Sequence, residues 1–209
     1  MRVLLACEES QTVCKAFRKQ GHEAFSCDIL PCSGGHPEWH IQDDVLNHLD
    51  DGWDMMIAFP DCTYLTCTAN KWYKDQPPRK SGALVGFQRR VAREAAIRFF
   101  IKLCMAKIDK IAIENPVGVM STYWRPADQI ICPTMFGHKE PKKTCLWLKY
   151  LNPLIPTEFV EPEYHTTKSG KRVPKWYFYA DKSKGQKGRA MIRSKTFTGI
   201  AEAMAEQWG

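Results

Sequence analysis

The sequence predicts an α/β fold: a mostly parallel sheet with helices on both faces, in one domain over residues 1–209. Three observations predict it. Two short apolar runs, Met55–Phe59 and Ile111–Ile113, are bounded by turn signals and read as buried strands. Each stops at a reactive polar group beside a proline, Pro60-Asp61-Cys62 in one and Glu114-Asn115-Pro116 in the other. Strand-like runs also alternate with helical patterns, as in a sheet built through right-handed crossovers.

The elements follow in order. Arg2 to Cys7 is a short apolar strand. Ser10 to Lys19 reads as a helix, with Val13 and Phe17 on one face, Ser10 as N-cap and Gly21 as the stop. Glu23 to Cys27 is the second strand, ending at Asp28. Pro31, Gly34, Gly35 and Pro37 make 30–40 a loop, and a short helical turn follows Asp43 and Asp44. Asp54 to Phe59 is the next strand, and 63–82 is loop-like. Leu84 to Lys107 carries the longest helical pattern. Its buried stripe is read as Val85, Val91, Ala95, Phe99, Leu103 and Ala106, with Arg89, Arg90, Arg93 and Arg98 on the wet side. Ile108 to Ile113 is a strand, and Thr144–Leu148 and Lys175–Ala180 are further short strands. Thr198 to Trp208 is the last helix.

Composition narrows the function classes. No apolar run approaches the ~20 residues of a membrane helix. The start of the chain turns acidic at Glu8 and Glu9, too early for a signal peptide, so a cytoplasmic location is expected. Cys7, Cys14, Cys27 and Cys104 lie in apolar runs, as reduced core thiols do. There is no Cys-x-x-Cys, and the pairs Cys27/Cys32 and Cys62/Cys67 have no second close pair to complete a zinc site, so no metal is expected. The net charge of +7 is uneven: 165–195 holds ten Lys/Arg against one acid, Asp181. A basic segment on a near-neutral body suggests a polyanion. Lys168, Lys171, Arg172 and Lys175 would grip it, and Trp176 with its aromatic neighbours would stack on bases. A solvated lysine-rich hairpin is the plainer alternative.

The first loop bears on the cofactor. Strand, turn, helix and a later acid make the skeleton of a dinucleotide-binding unit, but the glycines are missing. Glu8 and Glu9 stand where a pyrophosphate would sit and would repel it, so NAD and FAD are not expected. S-adenosylmethionine, with an ammonium, a sulfonium and no phosphate, fits better, with Asp28 on the ribose hydroxyls and Asp44 on the adenine amino group. Glu8 and Glu9 also have a plainer role as caps of the following helix, compatible with the first.

Together these residues resemble the DNA cytosine-5 methyltransferases, particularly short phage- and prophage-type relatives. The shared marks are Cys-Glu-Glu-Ser-Gln near the start, Pro-x-Cys, Glu-Asn-Pro and a Gly-Ile-Ala helix at the end. The resemblance covers most of 1–145 and 194–209. It implies a Rossmann-like methyltransferase fold, S-adenosylmethionine as cofactor and DNA, duplex or single-stranded, as partner. It places Cys62 as nucleophile and Glu114 as the carboxyl that hydrogen-bonds the target base, with Asn115, Arg189 and Arg193 in the same active site. Cys7, Glu8, Glu9, Ser10, Asp28, Ile29, Asp44, Pro60 and Gly199 fall where cofactor contacts are expected. Lys71 and Trp72, after the cysteine, would meet nucleic acid. The sequence departs from the family in three respects: Asp61 precedes the cysteine, the first loop lacks Gly-x-Gly, and a small basic aromatic insertion at about 150–195 replaces a full target-recognition domain.

The implied chemistry is covalent. A thiolate adding at C6 of cytosine makes C5 a carbon nucleophile, and a protonated carboxyl at N3 steadies the charge on the ring. Within a duplex the base must first be flipped out. Two other readings stand beside this one: modification of a free pyrimidine nucleotide, and a non-catalytic nucleic-acid-binding relative such as a decoy or anti-restriction protein. The oligomeric state is not legible.

Overall fold

A computed structural model describes residues 1–67, 69–175 and 196–209. The predicted strand at 175–180 therefore lies almost wholly outside the described residues. The elements are β1 (Arg2–Ala6), α1 (Thr12–Lys19), β2 (Glu23–Cys27), β3 (His40–Ile41), β4 (Met55–Ala58), α2 (Gly86–Cys104), β5 (Lys110–Pro116), α3 (Met120–Tyr123), β6 (Gln129–Ile131), β7 (Thr144–Lys149), β8 (Tyr164–Thr166), β9 (Arg172–Pro174) and a final helix, Thr198–Trp208.

Seven strands form one sheet in the order β3-β2-β1-β4-β5-β7-β6. The pairings from β3 across to β5 are parallel, and β7 alone runs antiparallel to both its neighbours. The pleat sends alternate residues to opposite faces. Val3, Leu5, Met55, Ile57 and Ala112 pack with Val13, Cys14 and Phe17 of α1 and Ile200, Ala201 and Met204 of the final helix. Leu4, Ala6, Met56, Ala58, Ile111 and Ile113 pack with Ile97, Phe100 and Leu103 of α2. These strands are apolar on both faces because both faces are covered by helices, as in a mostly parallel α/β sheet.

The structure departs from the sequence expectation at the start of α1 and along α2, where Ala95 as well as Val91 is exposed. Ser10 is not the N-cap of α1. The helix starts at Thr12, and its cap position is Gln11, held at φ 55. The free amides of Val13 and Cys14 are taken by the Glu8 carboxylate, at 2.7 and 3.1 Å, because Glu8 folds back over the helix start. On α2, Val91 is 48% exposed, whereas Arg89 is 5% exposed. The buried stripe is turned toward Ile97, Phe100 and Leu103, and a docked loop covers the arginine-rich face of the first turns. Among the described residues no helix is long and apolar enough to cross a membrane.

Candidate active site

The register of the central strands builds the site. β4 and β5 pair from Met55↔Lys110 to Ala58↔Ile113. β5 then runs on through Glu114, Asn115 and Pro116, held by β7 alone, while the chain after Ala58 turns away toward Cys62. The two polar segments read from the sequence are therefore neighbours at the carboxyl end of the central parallel strands. Asn115, 1% exposed, fastens them: its Nδ2 donates to the Pro60 carbonyl at 2.8 Å. Its Oδ1 is buried and has no partner among the described residues.

Burial raises the Cys62 thiol pKa above its ordinary value, Asp61 and Glu114 add to the rise, and Lys142 opposes it. Burial also raises the Glu114 pKa, against the pull of Lys142 and a hydrogen bond with the Thr144 side chain. A raised carboxyl is one that can keep its proton and donate a hydrogen bond. Lys142 and Thr144 share a small cavity with Glu114, Ile131, Phe197 and Ile200. Neither was singled out from the sequence. The usable signal was the polar Lys142-Lys143-Thr144 ahead of the apolar run Cys145–Leu148. Because β7 is antiparallel, it is its beginning that lies at the active edge.

Asp61 has a local job. Its Oδ1 accepts from the Thr63 amide at 2.9 Å and the Thr63 hydroxyl at 2.7 Å, shaping the turn that follows Cys62. Asparagine or aspartate side chains commonly serve such turns.

Beyond β1 and β2 lies an acidic wall. Cys7, at φ 60, has its thiol pKa raised chiefly by burial, with Asp28, Asp44 and Asp61 adding to the rise. Positive φ at Cys7 and again at Gln11 gives the loop, without glycine, the backbone turns that glycine usually supplies. Asp28 is half-buried and its pKa is raised chiefly by desolvation, while its Oδ1 accepts from the Leu30 amide. Asp44 caps the turn 45–47 through the Leu46 amide. Ile29 is 72% exposed at the rim. Glu9 holds Ser33 through its backbone carbonyl at 2.8 Å. Ser10 is buried and pairs with the Thr12 hydroxyl at 3.2 Å. Glu8 is 4% exposed, and burial pushes its pKa up to about 7 despite two helix amides.

Gly199 sits in the first turn of the final helix. Its amide donates to His138 Nε2 at 3.0 Å, and a Cβ there would lie 2.0 Å from the Phe136 carbonyl oxygen. Lys71 and Trp72 occupy the loop after Cys62, where Lys71 and Arg79 stack on the indole at 4.9 and 3.9 Å. Lys168, Lys171 and Arg172 are exposed on the β8–β9 hairpin, with Arg172 over Tyr164. Lys175 pairs with Glu163 at 3.1 Å, and Glu163 also pairs with Lys139. Trp176, Arg189 and Arg193 lie outside the described residues.

Neither a protein-family model nor a curated protein sequence matches the chain. Solved structures similar to it include a DNA modification methyltransferase encoded within an E. coli prophage, at 11% identity and TM-score 0.47, covering 77% of this chain and 52% of that one. A triple-substituted variant of Spodoptera frugiperda DNMT2 is similar at 12% identity and TM-score 0.42, covering 78% of this chain and 57% of that one. The chain thus spans little more than half the length of either. Likeness at this level does not bear on chemistry, which rests on the residues themselves.

Proposed function

We propose that this protein is an S-adenosylmethionine-dependent methyltransferase that modifies a pyrimidine, cytosine at C5, in DNA by covalent cysteine catalysis. One observation carries the reading: Glu114, in the part of β5 that outruns β4, and Cys62, four residues beyond the end of β4, lie at the same carboxyl end of adjacent central strands, where Asn115 fastens β5 to the Pro60 carbonyl.

The first loop fits the proposed cofactor on a structural ground. The amides at the start of α1, which would bind a pyrophosphate, are filled by Glu8. The wall of Asp28, Asp44 and Asp61 suits a cationic, phosphate-free group. Asp28, Asp44 and the rim residue Ile29 would hold it. When bound, S-adenosylmethionine supplies an electrophilic methyl group.

The chain's own residues do the rest. Cys62 gives up its proton to water and bonds to C6 of the base, which opens the C5–C6 double bond; once C5 carries the methyl group, water takes the C5 proton, the Cys62–C6 bond breaks and the double bond is restored. Lys142 favours the thiolate against Asp61 and Glu114. Glu114, whose carboxyl burial shifts toward the protonated form, donates to N3 and stabilises the charge that develops there. Asn115 acts through Pro60 by fixing where the Cys62 turn begins. The exposed cations of the β8–β9 hairpin and the Lys71–Trp72 loop supply contacts to the phosphate backbone and bases.

The test is trapping. DNA containing 5-fluorocytosine should form a complex with this protein that survives denaturing electrophoresis, since fluorine cannot leave as the proton does. Cys62→Ser should abolish the complex, and Cys67→Ser should not. A wild type that binds DNA and cofactor yet never traps would exclude the nucleophile role. The raised thiol beside Asp61 favours one second reading, a DNA-binding relative without turnover, and that result would select it.

A further inference from the structure

The loop after Cys62 is held by guanidinium groups from α2. Arg89 Nη2 donates to the Thr63 carbonyl at 3.3 Å. Arg93 Nε donates to the Tyr64 carbonyl at 2.8 Å, and its Nη2 reaches the Thr66 carbonyl at 3.4 Å and Asn70 Oδ1 at 3.0 Å. Arg90 donates to the Tyr73 carbonyl at 2.8 Å and pairs with Asp75. The Tyr73 hydroxyl closes the set by donating to the Tyr64 carbonyl at 2.8 Å. Arg93 stacks on the Tyr73 ring at 3.5 Å, and Arg89 lies over both Tyr64 and Tyr73.

The opposite side of the loop is fixed to the turn that follows the strand carrying Glu114. The Val119 amide donates to the Leu65 carbonyl at 2.8 Å, and Thr66 bridges to Gly118. A Cβ at position 118 would lie 2.2 Å from the Leu65 oxygen, so this approach requires glycine. The segment Thr63–Thr66 is thereby gripped from both sides, immediately after the thiol.

A buried arginine serving only stability is normally matched to a carboxylate. Arg89, 5% exposed, donates instead to two carbonyls and leaves its Nε without a partner among the described residues. Arginine suits this work because its planar fork meets two acceptors at once and stacks on aromatic faces.

We propose that Arg89 and Arg93 are positioning residues for Cys62, a clamp from α2 that fixes the thiol at the active edge before any substrate binds. The assignment rests on the proposed role of Cys62, and its test separates the two. The first measurement needs no substrate: the rate of Cys62 alkylation by iodoacetamide, followed by peptide mass spectrometry, with buried Cys14 and Cys27 as reporters of global folding. The second is 5-fluorocytosine trapping.

In Arg93→Ala and Arg89→Ala, Cys62 alkylation should rise about tenfold, as the thiol leaves its half-buried, acidic surroundings. Trapping should fall about tenfold to a hundredfold, as the thiol loses its alignment. Arg93→Lys should behave like the alanine variant, because it keeps the charge and loses the fork. Tyr73→Phe removes only the hydroxyl and should move both readouts the same way by a smaller factor. Unchanged Cys62 alkylation in these variants would overturn the clamp, whatever trapping does. Exposure of Cys14 and Cys27 in Arg93→Ala would mean the arginine holds the fold; Tyr73→Phe then decides, and no change in it would also overturn the clamp. A clamp that responds as expected in a protein whose wild type never traps would leave the positioning intact and sink the function.

Discussion

Cys62 sits between opposing charges. Asp61 and Glu114 raise its pKa and Lys142 lowers it, with burial the largest effect. Asp61→Asn should keep the acceptor for Thr63 while removing the charge, so Cys62 should alkylate roughly threefold to tenfold faster at pH 8. Lys142→Met should slow it by a similar factor. Opposite signs in a rate-against-pH titration of the two variants check the electrostatic account. Glu8 gives a second test. Its folded pKa of about 7 lies above the ordinary 4.5, so between these values the folded protein holds a proton that the unfolded chain has released. Glu8 therefore makes stability fall as pH rises through this window. Denaturant unfolding at pH 5 and pH 8 should show Glu8→Gln flattening that fall by up to about 3 kcal/mol. An identical pH dependence in wild type and variant would mean that Glu8 is ionised throughout.

At the scale of elements, the final helix depends on one close approach. Gly199 lets the first turn of that helix rest against the Phe136 carbonyl, and His138 accepts its amide. Gly199→Ala should cost about 1–3 kcal/mol through overpacking, seen as a lower melting temperature. Ile200 reaches from the same turn to the cavity beside Glu114, so the variant should also weaken trapping. A variant that melts like the wild type would show that this turn can shift freely. Arg89 and Arg93 read as solvated charges because sequence periodicity reports which residues are apolar, not which loop will cover a polar face. Lys142 was missed because a strand's direction in the sheet is set by pairing, and only antiparallel pairing brings the start of β7 to the edge where the parallel strands end.

At the scale of the whole molecule, two binding predictions follow from charge. S-adenosylmethionine or its demethylated product should raise the melting temperature, and NAD and ATP should not, since Glu8 fills the amides a phosphate would need. Asp28→Ala should weaken that binding by about 1–3 kcal/mol. No shift at saturating ligand would refute the cofactor. DNA affinity should fall with salt at a slope of roughly −0.9 per phosphate neutralised, and Lys171→Ala with Arg172→Ala should flatten it by up to about two units. Salt-independent binding would reduce the hairpin to an ordinary solvated one.

The sequence by itself determined the strands and the class of sheet, because apolar runs ending at Asp28, Pro60 and Glu114 can be buried on both faces only in a helix-covered parallel arrangement. It also singled out Cys62 and Glu114 as candidate reactive groups, since each follows such a run. The tertiary structure decided what surrounds them. Glu8 caps a helix because β1 delivers it over the start of α1, Asn115 ties two strand ends because β5 outruns β4, and three arginines hold a loop because α2 lies beneath it. Each of these is a meeting of residues far apart in the chain, and neither local propensity nor hydrophobic period encodes which distant partner a polar side chain will find.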